Sequence, residues 1–86
     1  MDATTLLRRT KELTVDTPLQ TNSIRVERKH ITFDLRENPR GRFLRITEEV
    51  SGRRDAIIVP VTGLEDFRAA IEKVIEHNKT LPPPPG

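Results

Sequence analysis

The chain contains no cysteine and only two histidines among its 86 residues. Without cysteine there are no disulfides and no thiolate metal sites, which fits a reducing intracellular setting. His30 and His77 are too few and too far apart to suggest a metal site, so neither a metal nor another cofactor is expected. No apolar run approaches the roughly 20 residues of a membrane span, and the N-terminus lacks the apolar core of a signal peptide. Catalytic constellations are missing too. There is no Ser/His/Asp set and no phosphate-cradling glycine loop, and Asp34 and Glu37 have no partner base. These absences point to a soluble, intracellular, non-enzymatic protein with no small-molecule substrate and no membrane partner.

The length allows one domain. A chain this short buries only about 60% of its unfolded surface, so its stability is marginal unless something supplements it. The net charge of +2 hides an asymmetry. Residues 22–54 carry nine Lys/Arg against five Asp/Glu, whereas residues 55–86 carry three against five. Segregation of this kind suits a surface that faces a polyanion.

Charge is densest in Arg36-Glu37-Asn38-Pro39-Arg40-Gly41-Arg42-Phe43-Leu44-Arg45, which holds four arginines and a solitary aromatic. Asn38-Pro39-Arg40-Gly41 is a type I turn signature, with Asn first, Pro pre-setting φ at the second position and Gly fourth. Apolar and polar residues alternate on both flanks, as in half-buried strands. The segment reads as a hairpin that places one ring beside concentrated positive charge.

Four strands are expected. They cover about Asn22 to Lys29 (Ile24 and Val26 inward), His30 to Glu37 (Ile31, Phe33 and Leu35 inward), Arg42 to Val50 (Leu44, Ile46 and Val50 inward) and Asp55 to Val61. Pro60 removes a ladder donor, which assigns the fourth strand to a sheet edge or a bulge. A helix then opens on Thr62-Gly63-Leu64-Glu65, a capping-box pattern. Leu64, Phe67, Ile71, Val74 and Ile75 fall along one helical stripe, worth about 1.5–3 kcal/mol each when buried. The fold class is therefore α+β, a four-stranded antiparallel meander with one C-terminal helix laid across one face. Residues 1–21 are expected to be a flexible arm and residues 80–86 a disordered, proline-rich tail.

Alternation leaves Arg25, Glu27, Thr32, Asp34, Arg36, Phe43, Arg45, Thr47 and Glu49 on the open face. Phe43 can stack on a base or can cover a dimer partner or the end of the barrel. Asn38 can read a base edge or merely satisfy its turn. Arg36, Arg40, Arg42 and Arg45 can meet phosphates or stack on base planes.

The run Arg-Glu-Asn-Pro-Arg-Gly-Arg-Phe-Leu-Arg-Ile, the strand Ile-Ile-Val-Pro-Val and the helix start Gly-Leu-Glu-Asp-Phe-Arg-Ala-Ala-Ile together resemble the PUR repeat of the Pur-alpha-like, purine-rich-element-binding family. The resemblance covers about Asn22 to Asn78, within a repeat drawn as residues 22–79. It implies a ββββα unit that pairs through intertwined helices into a Whirly-like module. It also implies binding of single-stranded, purine-rich and often G-rich DNA or RNA, with the capacity to melt short duplexes. Eukaryotic members pair two repeats within one chain. A chain with one repeat resembles the compact, often bacterial members, so a helix-swapped homodimer is implied, located in a bacterial cytoplasm or nucleoid rather than a eukaryotic nucleus. The family's basic residue two before the turn Asn falls on Arg36, its base-contacting Asn on Asn38, its base-wedging aromatic on Phe43 and the basic residue opening strand four on Arg54. Glu27 and Arg28 stand where eukaryotic repeats often carry Gln and Ser, and Glu27 would repel phosphate there.

The leading expectation is thus a homodimer that binds single-stranded DNA or RNA and takes part in transcription regulation. Phosphates would meet Arg36, Arg42, Arg45 and Arg54, and bases would stack on Phe43. The alternative is a protein-interaction or dimerisation module with weak or no nucleic-acid binding, using the proline tail.

Overall fold

The computed structural model describes residues 16–85, so the expected arm lies outside the described residues except at its end. Four strands form one antiparallel sheet in the order β1-β2-β3-β4: β1 (Thr17–Val26), β2 (Lys29–Asn38), β3 (Gly41–Val50) and β4 (Arg53–Pro60). A short 3-10 turn, Val61–Gly63, leads into one helix, α1 (Leu64–Lys79). The α+β meander with a C-terminal helix is what the alternation and the apolar stripe require.

Each hairpin turns within two residues. Val26 faces Lys29 across Glu27-Arg28. Glu27 has φ 56°, the left-handed value that primed hairpin turns demand. Glu27 is therefore a turn residue and not, as the alternation suggested, part of the open strand face. Asn38 faces Gly41 across Pro39-Arg40, and Asn38 Oδ1 accepts the Arg40 backbone N–H at 2.9 Å. At the third hairpin Ser51 (φ 49°) and Gly52 (φ 79°) both take positive φ, as a type I′ turn needs.

β1 starts at Thr17 rather than at Asn22. Pro18 faces Arg36 and Gln20 faces Leu35, so Leu19 is the extra residue of a bulge. A proline and a bulge suit an edge strand, because neither needs a complete ladder. Pro60 ends the other edge strand, β4, as its missing N–H required.

The pairings Ile24–Ile31, Phe33–Ile46, Leu35–Leu44, Ile46–Ile57 and Leu44–Val59 build one apolar face. The helix does not cover it. Contacts of α1 are concentrated on the 3-10 turn before it, and the chain is elongated, 62 × 30 × 16 Å. No residue among those described is buried, and Ile24, Ile57, Ile71, Val74 and Ile75 are each 45% or more exposed. The expected helix-on-sheet packing is therefore absent within this chain. Pro60 forces extended backbone (φ −57°, ψ 145°) at the end of β4, and the 3-10 turn then sends the helix away from the sheet.

The capping box is not formed either. Gly63 is the N-cap of α1 and no side chain caps its N–H groups. Once Val61–Gly63 winds as a 3-10 turn, Thr62 lies inside that turn and no longer precedes the first helical residue. Glu65 and Asp66 in the first turn, and His77 and Lys79 in the last, still oppose the helix dipole. Thr80 closes the helix through its hydroxyl and its N–H on the His77 carbonyl, and exposed prolines follow.

Candidate nucleic-acid interface

The second sheet face is polar and its chemistry gathers at the β2–β3 hairpin. Strand period places Arg36 and Asn38 of β2 on the same side as Phe43 and Arg45 of β3. Phe43 is half-buried, opposite Arg36 on one neighbouring strand and Pro60 on the other. Arg40 occupies the hairpin tip and makes no side-chain ion pair among the described residues. An open groove of about 360 Å³ runs here, lined by Asn38, Arg40, Gly41, Arg42, Phe43, Ile58 and Pro60.

Asp34 organises the arginines. Its Oδ2 accepts from Arg45 at 3.2 Å and from Arg36 at 3.5 Å, while its Oδ1 accepts the Thr21 hydroxyl at 2.6 Å. The Thr21 hydrogen bond, with the two guanidinium groups behind it, holds the Asp34 carboxyl below its usual range. A depressed carboxyl pKa stabilises the fold above the unfolded value of about 3.9, and that stability is lost as pH falls through the folded value. We expect Asp34→Asn to flatten the acid limb of a Tm-against-pH curve below about pH 4. An unchanged acid limb would show that the network contributes nothing to stability.

Asp16, just before β1, reaches Arg36 of the same cluster and the nearby Asn38. Its carbonyl accepts from Arg36 at 3.2 Å and its Oδ1 accepts from Asn38 Nδ2 at 3.4 Å. Arg36 is consequently only 18% exposed, and its Nε is buried without a hydrogen bond, 4.0 Å from Asp16 Oδ2. Both ends of the Asn38 amide are engaged, one by the turn and one by Asp16.

Two expected site residues lie elsewhere. Arg42 falls in the Leu44 register, on the apolar side, and donates to Glu37 at 3.1 Å, although it also lines the groove. Arg54 pairs with Glu49 at 3.4 Å, six residues along β3 from Phe43, roughly 20 Å at about 3.3 Å per residue. The hairpin thus unites Arg36, Asn38, Arg40, Phe43 and Arg45 and leaves Arg54 at the far end of the sheet. The sequence pattern does not signal Ile58 and Pro60 at the groove, nor Asp16 against Arg36 and Asn38. The register of β4 against β3 is the missing information, because the Ile57-Ile58-Val59 run does not by itself say which β3 residues Ile58 and Pro60 meet.

At the opposite end of the apolar face, Glu48 lies 2.9 Å from Lys29 Nζ, and this hydrogen bond holds the ammonium above its ordinary pKa. No helix among the described residues is long and apolar enough to cross a membrane.

The described residues thus form a four-stranded meander with one ring among arginines beside a tight hairpin. The sequence places it more narrowly. Residues 3–80 match the family described as PurA ssDNA and RNA-binding protein, and the chain belongs to that family. It is 48% identical over 52 residues to "Transcription factor Pur-alpha 1" of Arabidopsis thaliana, covering 60% of this chain and 18% of that protein. It is 42% identical over 59 residues to "Transcriptional activator plp-1" of Caenorhabditis elegans (66% of this chain, 26% of the relative). Against the human "Transcriptional activator protein Pur-alpha" it is 42% identical over 60 residues, covering 62% and 18%. The chain therefore spans only about a fifth to a quarter of the length of these relatives.

Proposed function

We propose that this chain binds single-stranded, purine-rich DNA or RNA as a homodimer, without catalysis, and takes part in transcription regulation as its longer relatives' names indicate. The observation that carries the reading is the ring of Phe43 on the polar face, opposite Arg36 and next but one to Arg45, above an open groove. A base stacks on the ring and the arginines take the flanking phosphates. Arg40, unpaired among the described residues, makes the first phosphate contact. Arg36 and Asn38 become available only when the strand displaces Asp16.

Homodimerisation is supported by what the single chain leaves uncovered. A fold in which none of the described residues is buried lacks the burial that stabilises domains, at about 25 cal/mol per Å² of apolar surface. The apolar sheet face and the stripe Leu64, Phe67, Ile71, Val74 and Ile75 complement one another, and a second copy that exchanges helices would cover both.

Anisotropy of a labelled G-rich strand at two or more salt concentrations tests the binding reading. With about three phosphates met per protomer, log K should fall against log salt with a slope near −2, at about −0.7 per phosphate. A slope near zero overturns the electrostatic part. No binding at low salt favours the alternative, a protein-interaction module, which the internal pairing of Arg36, Arg42, Arg45 and Arg54 with carboxylates keeps in play.

A further inference from the structure

The polar sheet face has an apolar element that the nucleic-acid reading does not yet use. β4 contributes Arg54, Ala56, Ile58 and Pro60 to that face, and Ile58 stands 56% exposed there, directly opposite Arg45. Pro60 is directly opposite Phe43, so Ile58 is the diagonal neighbour of the ring, within reach of a large side chain across an antiparallel pair. An isoleucine on this side contributes nothing to the apolar face, where its neighbours Ile57 and Val59 already point. It nevertheless lines the same groove as Phe43, Pro60, Asn38 and Arg40.

We infer that Ile58 and Pro60 extend the Phe43 ring into an apolar shelf that seats one purine base, making Ile58 a specificity-determining residue for purine over pyrimidine. The inference rests on the nucleic-acid reading above and deepens it. A two-ring base laid on Phe43 covers Pro60 across the strand spacing of about 4.8 Å and reaches toward Ile58 on the diagonal, about 7–8 Å away, whereas a one-ring base covers Phe43 alone. The groove volume of about 360 Å³ falls in the range of small-ligand sites, about 300–1,000 Å³. Its charge selects a nucleotide over a neutral apolar partner. The cation of Arg40 stands at the rim, where a backbone phosphate flanking the seated base would lie, and the Asn38 amide borders the same groove. The shelf supplies stacking and the rim supplies charge, the pairing that single-strand binders use.

The test compares wild type, Ile58→Thr, Ile58→Val and Phe43→Ala for binding to an alternating guanine–adenine strand and to an alternating cytosine–thymine strand. Threonine keeps the β-branch that suits a strand and replaces apolar bulk with a hydroxyl. The expected result is a loss of about fivefold for the purine strand in Ile58→Thr, with less than about twofold for the pyrimidine strand and recovery in Ile58→Val, the fold-change matching the weak end of base stacking. Equal losses on both strands, or none, overturn the inference. If Phe43→Ala loses binding while Ile58→Thr does not, the shelf is wrong and the binding reading stands. If wild type binds neither strand, both fall. A change in oligomeric state by sedimentation in Ile58→Thr, with purine binding intact, overturns it in favour of a contact between copies.

Discussion

We expect Phe43→Ala to lower affinity for a G-rich single strand by roughly 5- to 150-fold, the 1–3 kcal/mol that one stacked base is worth. The loss should appear at every salt concentration, because a stacked ring exchanges no counterions. The salt slope itself should stay near its wild-type value. Phe43→Tyr keeps the aromatic face and retains most of the affinity. Phe43 is half-buried between Arg36 and Pro60, so circular dichroism must show that the Ala variant keeps its sheet. A folded Phe43→Ala protein that binds as wild type does would remove stacking from the mechanism. A change in slope with little change in affinity would instead assign the ring a role in placing Arg36 and Arg45.

Val74→Asp has the other large effect. Val74 is 69% exposed in the single chain, and a substitution at so open a site ordinarily changes stability by less than about 0.5 kcal/mol. In the proposed homodimer the same side chain would belong to a covered stripe, where an unpaired buried charge costs about 3 kcal/mol or more. The expected result is loss of the dimer by sedimentation and a fall in Tm. Wild-type Tm itself should rise with protein concentration, as mass action requires of an assembly whose fold depends on association. A Val74→Asp chain as stable as wild type, with a concentration-independent Tm, would mean that the helix stands alone in solution.

Much of this was legible in the amino-acid sequence because the physics is local. Asn38-Pro39-Arg40-Gly41 turns where its side chains allow, and Pro60 puts β4 at an edge because it cannot donate to a ladder. The stripe from Leu64 to Ile75 correctly announced an apolar helix face. It did not say what that face meets, because helical spacing records that something must be covered and not by what. The start of β1 was hidden because Pro18 and the bulge at Leu19 interrupt the alternation that reveals strands. Glu27 was placed on a strand face because nothing in a glutamate advertises a positive φ. On the polar face, alternation points to Arg36, Phe43 and Arg45, and the turn signature points to Asn38. Ile58 needed the β3–β4 register, and Asp16 needed a contact between residues twenty or more apart in the chain.

The sharing of Asp34 between Arg36 and Arg45 has a consequence for discrimination between duplex and single strand. A duplex offers the denser array of phosphates, two charges for each base-pair step against one for each nucleotide of a single strand. It wins wherever unpaired cations await it. On this face one internal carboxylate is shared by two guanidinium groups, and approaching phosphates would have to compete with a partner that never diffuses away. If this face binds as proposed, a duplex would lose part of its electrostatic advantage while its bases remain stacked on each other. What is left to reward binding is a naked nucleobase, which a single strand presents and a duplex withholds. On the proposed reading, by weakening its own appetite for charge, the sheet would become a filter for strandedness.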